Sequence, residues 1–118
     1  MNKILFIVIT AVISISANAS SFYDDVARLI EPQDQYGKYV NCAAMATLLL
    51  NDTGNVKYEA DIARLLKPVK NAKFNEQAIF SALNTRGAYF IGITDYHKQM
   101  YKKEFNLQPL FRQNCRVL

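Results

Sequence analysis

The first residues set the strongest limit on what this chain can become. Met1-Asn2-Lys3 places a positive charge ahead of a charge-free apolar run, Ile4 to Ile15, and Ala17-Asn18-Ala19 comes next with a small-x-small pattern. That order is the signature of a secretory signal peptide. We expect residues 1–19 to be removed by a cut between Ala19 and Ser20, leaving residues 20–118 as a single domain. A membrane-spanning helix needs roughly 20 apolar residues, and Ser14, Ser16 and Asn18 interrupt the run before that length. No cysteine stands at the cut to carry a lipid. The expected product has no stable membrane anchor after cleavage, is periplasmic or secreted, and is long enough for one modest core.

Export changes the meaning of the two cysteines, Cys42 and Cys115. In an oxidising compartment a bridge between them is the default. A metal site would need more ligands than two cysteines and the chain's one histidine, His97. A bridge closing a loop of about 70 residues contributes on the order of 4 kcal/mol in the chain-entropy model.

The pattern of the expected domain is helical. Phe22, Val26 and Leu29 fall at spacings of four and three over residues 21–30, with Asp24 and Asp25 expected in the first turn and serines ahead to cap it. Glu31-Pro32-Gln33-Asp34 interrupts, and Asp34 can cap the next helix. Residues 35–50 carry two apolar or near-apolar stripes, one through Tyr36, Val40, Ala43, Thr47 and Leu50 and one through Tyr39, Cys42, Ala46 and Leu49. The stretch from Cys42 to Leu50 holds no charge, so this segment predicts the central helix, surrounded by the others. Ala43-Ala44-Met45-Ala46 suits a helix better than a strand.

Asn51-Asp52-Thr53-Gly54-Asn55 reads as a turn, and its Asn-x-Thr sequon as coincidence. The next helix is expected over residues 56–66, with Tyr58, Ile62 and Leu65 inward and Lys57, Glu59, Asp61 and Arg64 outward. Lys67-Pro68 should end or kink it, with Asn71 or Asn75 capping its successor. Phe74, Ala78 and Ala82 keep helical spacing, as do Tyr89, Ile93, Tyr96 and Met100, with Asn84-Thr85-Arg86-Gly87 between them as a turn. Residues 88–94 have enough aromatic and β-branched character for a strand, but no other run could pair with it. Helix is therefore expected there, with Ala88 and Gly92 forming a flat face against Ala43 and Ala46. Asn106-Leu107-Gln108-Pro109 breaks the chain again, and Pro109 to Cys115 predicts a last helical turn with Leu110 and Phe111 inward. The fold class expected is all-α, a small bundle of four to five helices closed by the Cys42–Cys115 bridge.

Chemistry is hard to place on this sequence. Asp95 and His97 are two apart, about 200° around a helix, so they form no ready acid–base pair. A Cys–His nucleophile needs a free thiol that the compartment opposes. Asp24-Asp25 is explained by a helix start, and no hydrolase, metalloprotease, Walker or dinucleotide motif is present. No catalytic residue, cofactor or metal site is therefore assigned. Five of the tyrosines, Tyr36, Tyr39, Tyr58, Tyr89 and Tyr96, are expected at inner or border positions.

Charge is the one asymmetric feature, with 14 Lys+Arg against 10 Asp+Glu in the whole chain. Lys98, Lys102, Lys103, Arg112 and Arg116 crowd the C-terminal end with Tyr96 and Tyr101 interleaved, and after Asp95 only Glu104 opposes them. Lys98 and Lys102 share a helix face. These cations and Tyr101 are the candidate partner-binding residues, suited to an acidic protein, lipid A phosphates or peptidoglycan carboxylates. Nucleic acid is not expected as a partner once the chain is exported.

The run Tyr39-Val40-Asn41-Cys42-Ala43-Ala44-Met45, a glycine such as Gly87 or Gly92 within a later helix, and a closing cysteine resemble a pattern of uncharacterised small exported proteins of proteobacteria. In gross plan the chain is also similar to the immunity proteins of type VI secretion amidase effectors, which are small, helical and disulfide-bridged. The resemblance implies a helical bundle and no specific inhibitory motif. The function expected is a non-enzymatic exported binding module, of an inhibitor or immunity type, acting on a protein partner in the envelope. A structural, self-associating envelope component is the alternative, with a minimal hydrolase or redox enzyme behind it.

Overall fold

The computed structural model describes residues 19–118, so the expected signal peptide lies, but for Ala19, outside the described residues. Five α-helices and no strand make up the described chain: α1 (Ala19–Leu29), α2 (Gly37–Thr53), α3 (Lys57–Asn71), α4 (Glu76–Tyr101) and α5 (Leu107–Cys115). The all-α expectation holds, and residues 88–94 are helical.

The charge-free centre of α2 is the hub of the bundle. Helices α1, α3, α4 and α5 all touch it, and α1 also lies along α4. Val40, Cys42, Ala43, Ala44, Met45, Ala46 and Leu49 are buried, and the core among the described residues contains no buried polar or charged side chain. Four of those seven side chains are alanine or cysteine, small enough for neighbouring helices to come close on several sides. The two threonine hydroxyls of α2 are satisfied locally: Thr47 Oγ1 donates to the Ala43 carbonyl at 2.8 Å and Thr53 Oγ1 to that of Leu49 at 2.7 Å. The second bond lies in a helical stretch that runs to Thr53, so the turn expected over residues 51–55 begins only at Gly54. Gly54 takes the left-handed conformation (φ 68°) and closes the helix with its N–H on the Leu50 carbonyl, the αL cap that glycine adopts without a Cβ penalty.

At the other end of α2 the polar loop does the capping. Asp34 Oδ1 accepts from the N–H groups of Tyr36 (2.9 Å) and Gly37 (3.3 Å), so it caps the turn that leads into the helix. Arg28 of α1 pairs with the same carboxylate at 3.1 Å and lays its guanidinium over the rings of Tyr36 and Phe74. Gly37 is buried, and a Cβ there would run into the backbone carbonyls of Glu31 and Arg28.

Two expected breaks are not breaks, and a third ends earlier than expected. Pro68 sits inside α3, which continues to Asn71. The lost hydrogen bond falls on the Arg64 carbonyl, on an exposed residue where water can replace it, while buried Leu65, Leu66 and Val69 hold the helix on course across the proline. The turn expected at residues 84–87 is the middle of α4, a continuous helix of 26 residues, roughly 39 Å long at 1.5 Å per residue. There Thr85 Oγ1 bonds back to the Ser81 carbonyl at 2.9 Å, and Arg86 reaches across to Asn41 Oδ1 of α2 at 2.8 Å. The last helix begins at Leu107 instead of Pro109: Asn106 caps it by accepting from Gln108 N–H, and Pro109 stands in the first turn, where its missing N–H costs nothing.

Two local expectations are also corrected. Asp24 and Asp25 do not start a helix, because α1 already begins at Ala19; Asp25 Oδ2 instead accepts the backbone N–H of Asn75 at 2.8 Å, and Asn75 in turn caps α4 through Gln77 and Ala78. Ala88 and Gly92 form no flat contact face, since both are exposed and a Cβ on Gly92 would meet nothing within 4 Å.

The expected bridge is present. Cys42 of α2 and Cys115 of α5 are joined with their Cα atoms 5.6 Å apart, 73 positions apart in sequence. Leu107, Phe111 and Cys115 line one face of α5 at intervals of four and are all buried, with Leu110 partly buried against the same core, so the bridge fixes a helix with a small apolar face.

Candidate functional site

The second half of α4 is the most distinctive surface. In its first half, Ala78 and Ala82 are buried with Ile79 in the core. Periodicity places the stripe Tyr89, Ile93, Tyr96 and Met100 inward as well, but Tyr89 (51%), Tyr96 (61%) and Met100 (58%) are exposed. The physical reason is length: α4 outruns the neighbours that cover its beginning. Only Phe90 is fully buried in this half of the helix, with Ile93 half-buried beside it. The Arg86 guanidinium lies over the Tyr89 ring, 4.3 Å from its centroid, so one face is covered while the residue as a whole stays exposed.

The flank next to the stripe packs against the turn that follows the helix. His97 is half-buried against Tyr101 and Phe105, with ring centroids at 4.9 and 5.2 Å, and its Nδ1 lies 3.2 Å from the Lys103 carbonyl. These contacts shape the α4–α5 connection, and Asp95 is not among them. Both cysteines are in the bridge. Among the described residues no group of three or more His, Cys, Asp or Glu side chains converges as a metal site, and no helix is long and apolar enough to cross a membrane.

The candidate partner-binding residues divide into two groups. Lys98, Lys102, Lys103 and Tyr101 gather at the end of α4, where Lys102 adopts the left-handed conformation (φ 56°) and caps the helix by donating its N–H to the Lys98 carbonyl. Lys98 and Lys102, with Asp95 and Gln99, border one shallow depression; Lys98 also pairs with Glu104 at 3.1 Å, both side chains exposed. Arg112 and Arg116 do not join them. They border a different recess, together with Lys57, Asp61, Tyr58 and Phe111, where α5 meets the start of α3. Sequence order suggests one basic patch; the turn at residues 102–106 sends α5 away and makes two. Lys57 lies far from α5 in sequence, and no spacing signal links them.

A further feature that periodicity does not reveal is an apolar groove between α2 and α4, about 340 Å³, bordered by Ala44, Leu48, Phe80, Leu83, Gly87 and Ile91 among others. Gly87 leaves part of it open, since a Cβ there would meet nothing within 4 Å. Glycine at position 87 is legible in the sequence, but its partner across the groove is not.

Comparison with protein-family models, curated proteins and solved structures finds no match to this chain. Fold and surface together define a class, the small disulfide-locked helical bundle with one helix extending beyond its packing partners.

Proposed function

We propose that the protein is an exported, non-enzymatic binding module that engages an envelope protein through the free end of α4, in the manner of a small inhibitor or immunity protein. The observation that carries this reading is the stripe of Tyr89, Tyr96 and Met100, apolar at helical spacing yet uncovered. Tyrosine and methionine are enriched where proteins meet, and contiguous exposed apolar surface on a small domain marks an interaction face. Lys102 and Lys103 at the helix end, outside the ion pairs among the described residues, favour a partner whose rim is acidic and would speed its approach. The Cys42–Cys115 bridge is compatible with a periplasmic or secreted location.

The test is capture of the partner from envelope extract by the tagged protein, compared with variants carrying Lys98→Glu, Lys102→Glu and Lys103→Glu together, or Tyr96→Ala with Met100→Ala. Both sets of changes lie on exposed residues, so folding should survive. The reading expects each to reduce capture at least about tenfold; capture indifferent to both contradicts it. A second copy of the chain is the rival occupant, because a 4-3-4 apolar stripe suits helix-on-helix packing. Light scattering distinguishes the two: a monomer at micromolar concentration favours a foreign partner, a dimer abolished by Tyr96→Ala and Met100→Ala the self-associating component.

A further inference from the structure

A second surface is built for a different ligand. The structure assigns the recess between α3 and α5 as a binding site for a phosphate-bearing group. Three cations border it: Lys57 at the start of α3, and Arg112 and Arg116 one turn apart at the end of α5. None of the three is in an ion pair among the described residues, where Arg28, Arg64 and Lys98 take the observed partners. The one acid on the rim, Asp61, is engaged by Arg64 at 3.1 Å. The wall is aromatic: Tyr58 and Phe111 meet edge to face with centroids 5.8 Å apart and join α3 to α5.

The chemistry selects the ligand class. A carboxylate carries one charge and two oxygens, whereas a phosphate monoester carries between about 1.5 and 2 negative charges near neutral pH and three acceptor oxygens. Two guanidinium groups and an ammonium match the latter in charge and in number of donors. The recess, about 260 Å³, has room for the phosphate and part of the group it esterifies, with the Tyr58–Phe111 edge left to meet the ester carbons. The scaffold is rigid: Cys115, bridged to α2, lies between Arg112 and Arg116 in sequence, so both arginines are carried on an anchored turn.

The site is tested on the purified protein by titration calorimetry and phosphorus-31 NMR with inorganic phosphate, with glucose 1-phosphate, and by co-sedimentation with vesicles containing phosphatidic acid, whose headgroup is likewise a phosphate monoester. Saturable, salt-sensitive binding is expected, weakened at least about tenfold by Arg112→Gln with Arg116→Gln and changed less than about twofold by Lys102→Glu with Lys103→Glu. Tighter binding of the soluble ester than of inorganic phosphate supports a free phosphate ester as ligand. Arginine-dependent sedimentation with vesicles supports a lipid headgroup of the same chemistry. No saturable binding in any arm, or equal weakening by the α4 lysine changes, overturns the assignment. Circular dichroism checks that each variant is folded, as expected where all the altered side chains are exposed.

Discussion

Single residues carry more of this fold than its composition suggests. Gly37 is the sharpest case, because any side chain there meets the Glu31 and Arg28 carbonyls; Gly37→Ala should lower stability by about 1–3 kcal/mol through forced backbone displacement, seen as an earlier midpoint in urea unfolding. Gly92 is the reverse. It is exposed within α4 with open space around it, so Gly92→Ala should raise stability by about 0.5–1 kcal/mol, and a loss on the same assay would show a contact on that face. Asp34 should make stability depend on pH in the acid range. Its carboxyl is held below the ordinary 3.8 chiefly by the Tyr36 N–H, against an opposing push from burial, with Arg28 and the Gly37 N–H adding to the lowering. A depressed carboxylate contributes stability that is fully present above its unfolded value and fades as pH falls through the folded one. The stability gap between the wild type and Asp34→Asn should therefore be constant above about pH 5 and close on acidification below 3.8; a gap that persists unchanged in acid would assign it to something other than ionisation.

Among the elements, α5 depends most on its covalent tie. Its buried stripe is Leu107, Phe111 and Cys115, so Cys42→Ala with Cys115→Ala should cost on the order of 4 kcal/mol, with α5 amides losing hydrogen-exchange protection before those of α2. Uniform loss across all helices would show that α5 is not the weak element. The helices themselves are readable from apolar spacing, and α2 most clearly, since a charge-free run of that length has to be enclosed. Their ends are less so. Pro68 and residues 84–87 look like stops because local propensity disfavours helix there, yet Val69 and Phe90 lie beyond each point and are buried, and tertiary burial overrides a local cost of that size. Lys73 and Lys102 are left-handed at φ 62° and 56°, a role that sequence assigns to glycine or asparagine, so these two turns could not be anticipated.

At the scale of the whole molecule, the same apolar spacing that locates α4 misplaces its surface. Tyr89, Tyr96 and Met100 look like core residues because periodicity reports a stripe, not what covers it; no neighbouring helix extends far enough to do so. The basic residues are legible as chemistry but not as geometry, since chain order joins Lys102 to Arg112 while the fold separates them and brings Lys57 to the arginines instead. Because the stripe lies outside the core, Tyr96→Lys with Met100→Lys should leave the melting temperature within about two degrees of the wild type while removing association; a large fall in melting temperature would mean that these side chains support the bundle. The most direct measurement places a photo-reactive residue at position 96, 100 or, as control, 67 in the full-length protein expressed in its host. A discrete adduct to one partner from positions 96 and 100, absent from 67 and lost with Lys102→Glu and Lys103→Glu, is the predicted result. Adducts equal at all three positions, or none from the α4 stripe, would contradict it.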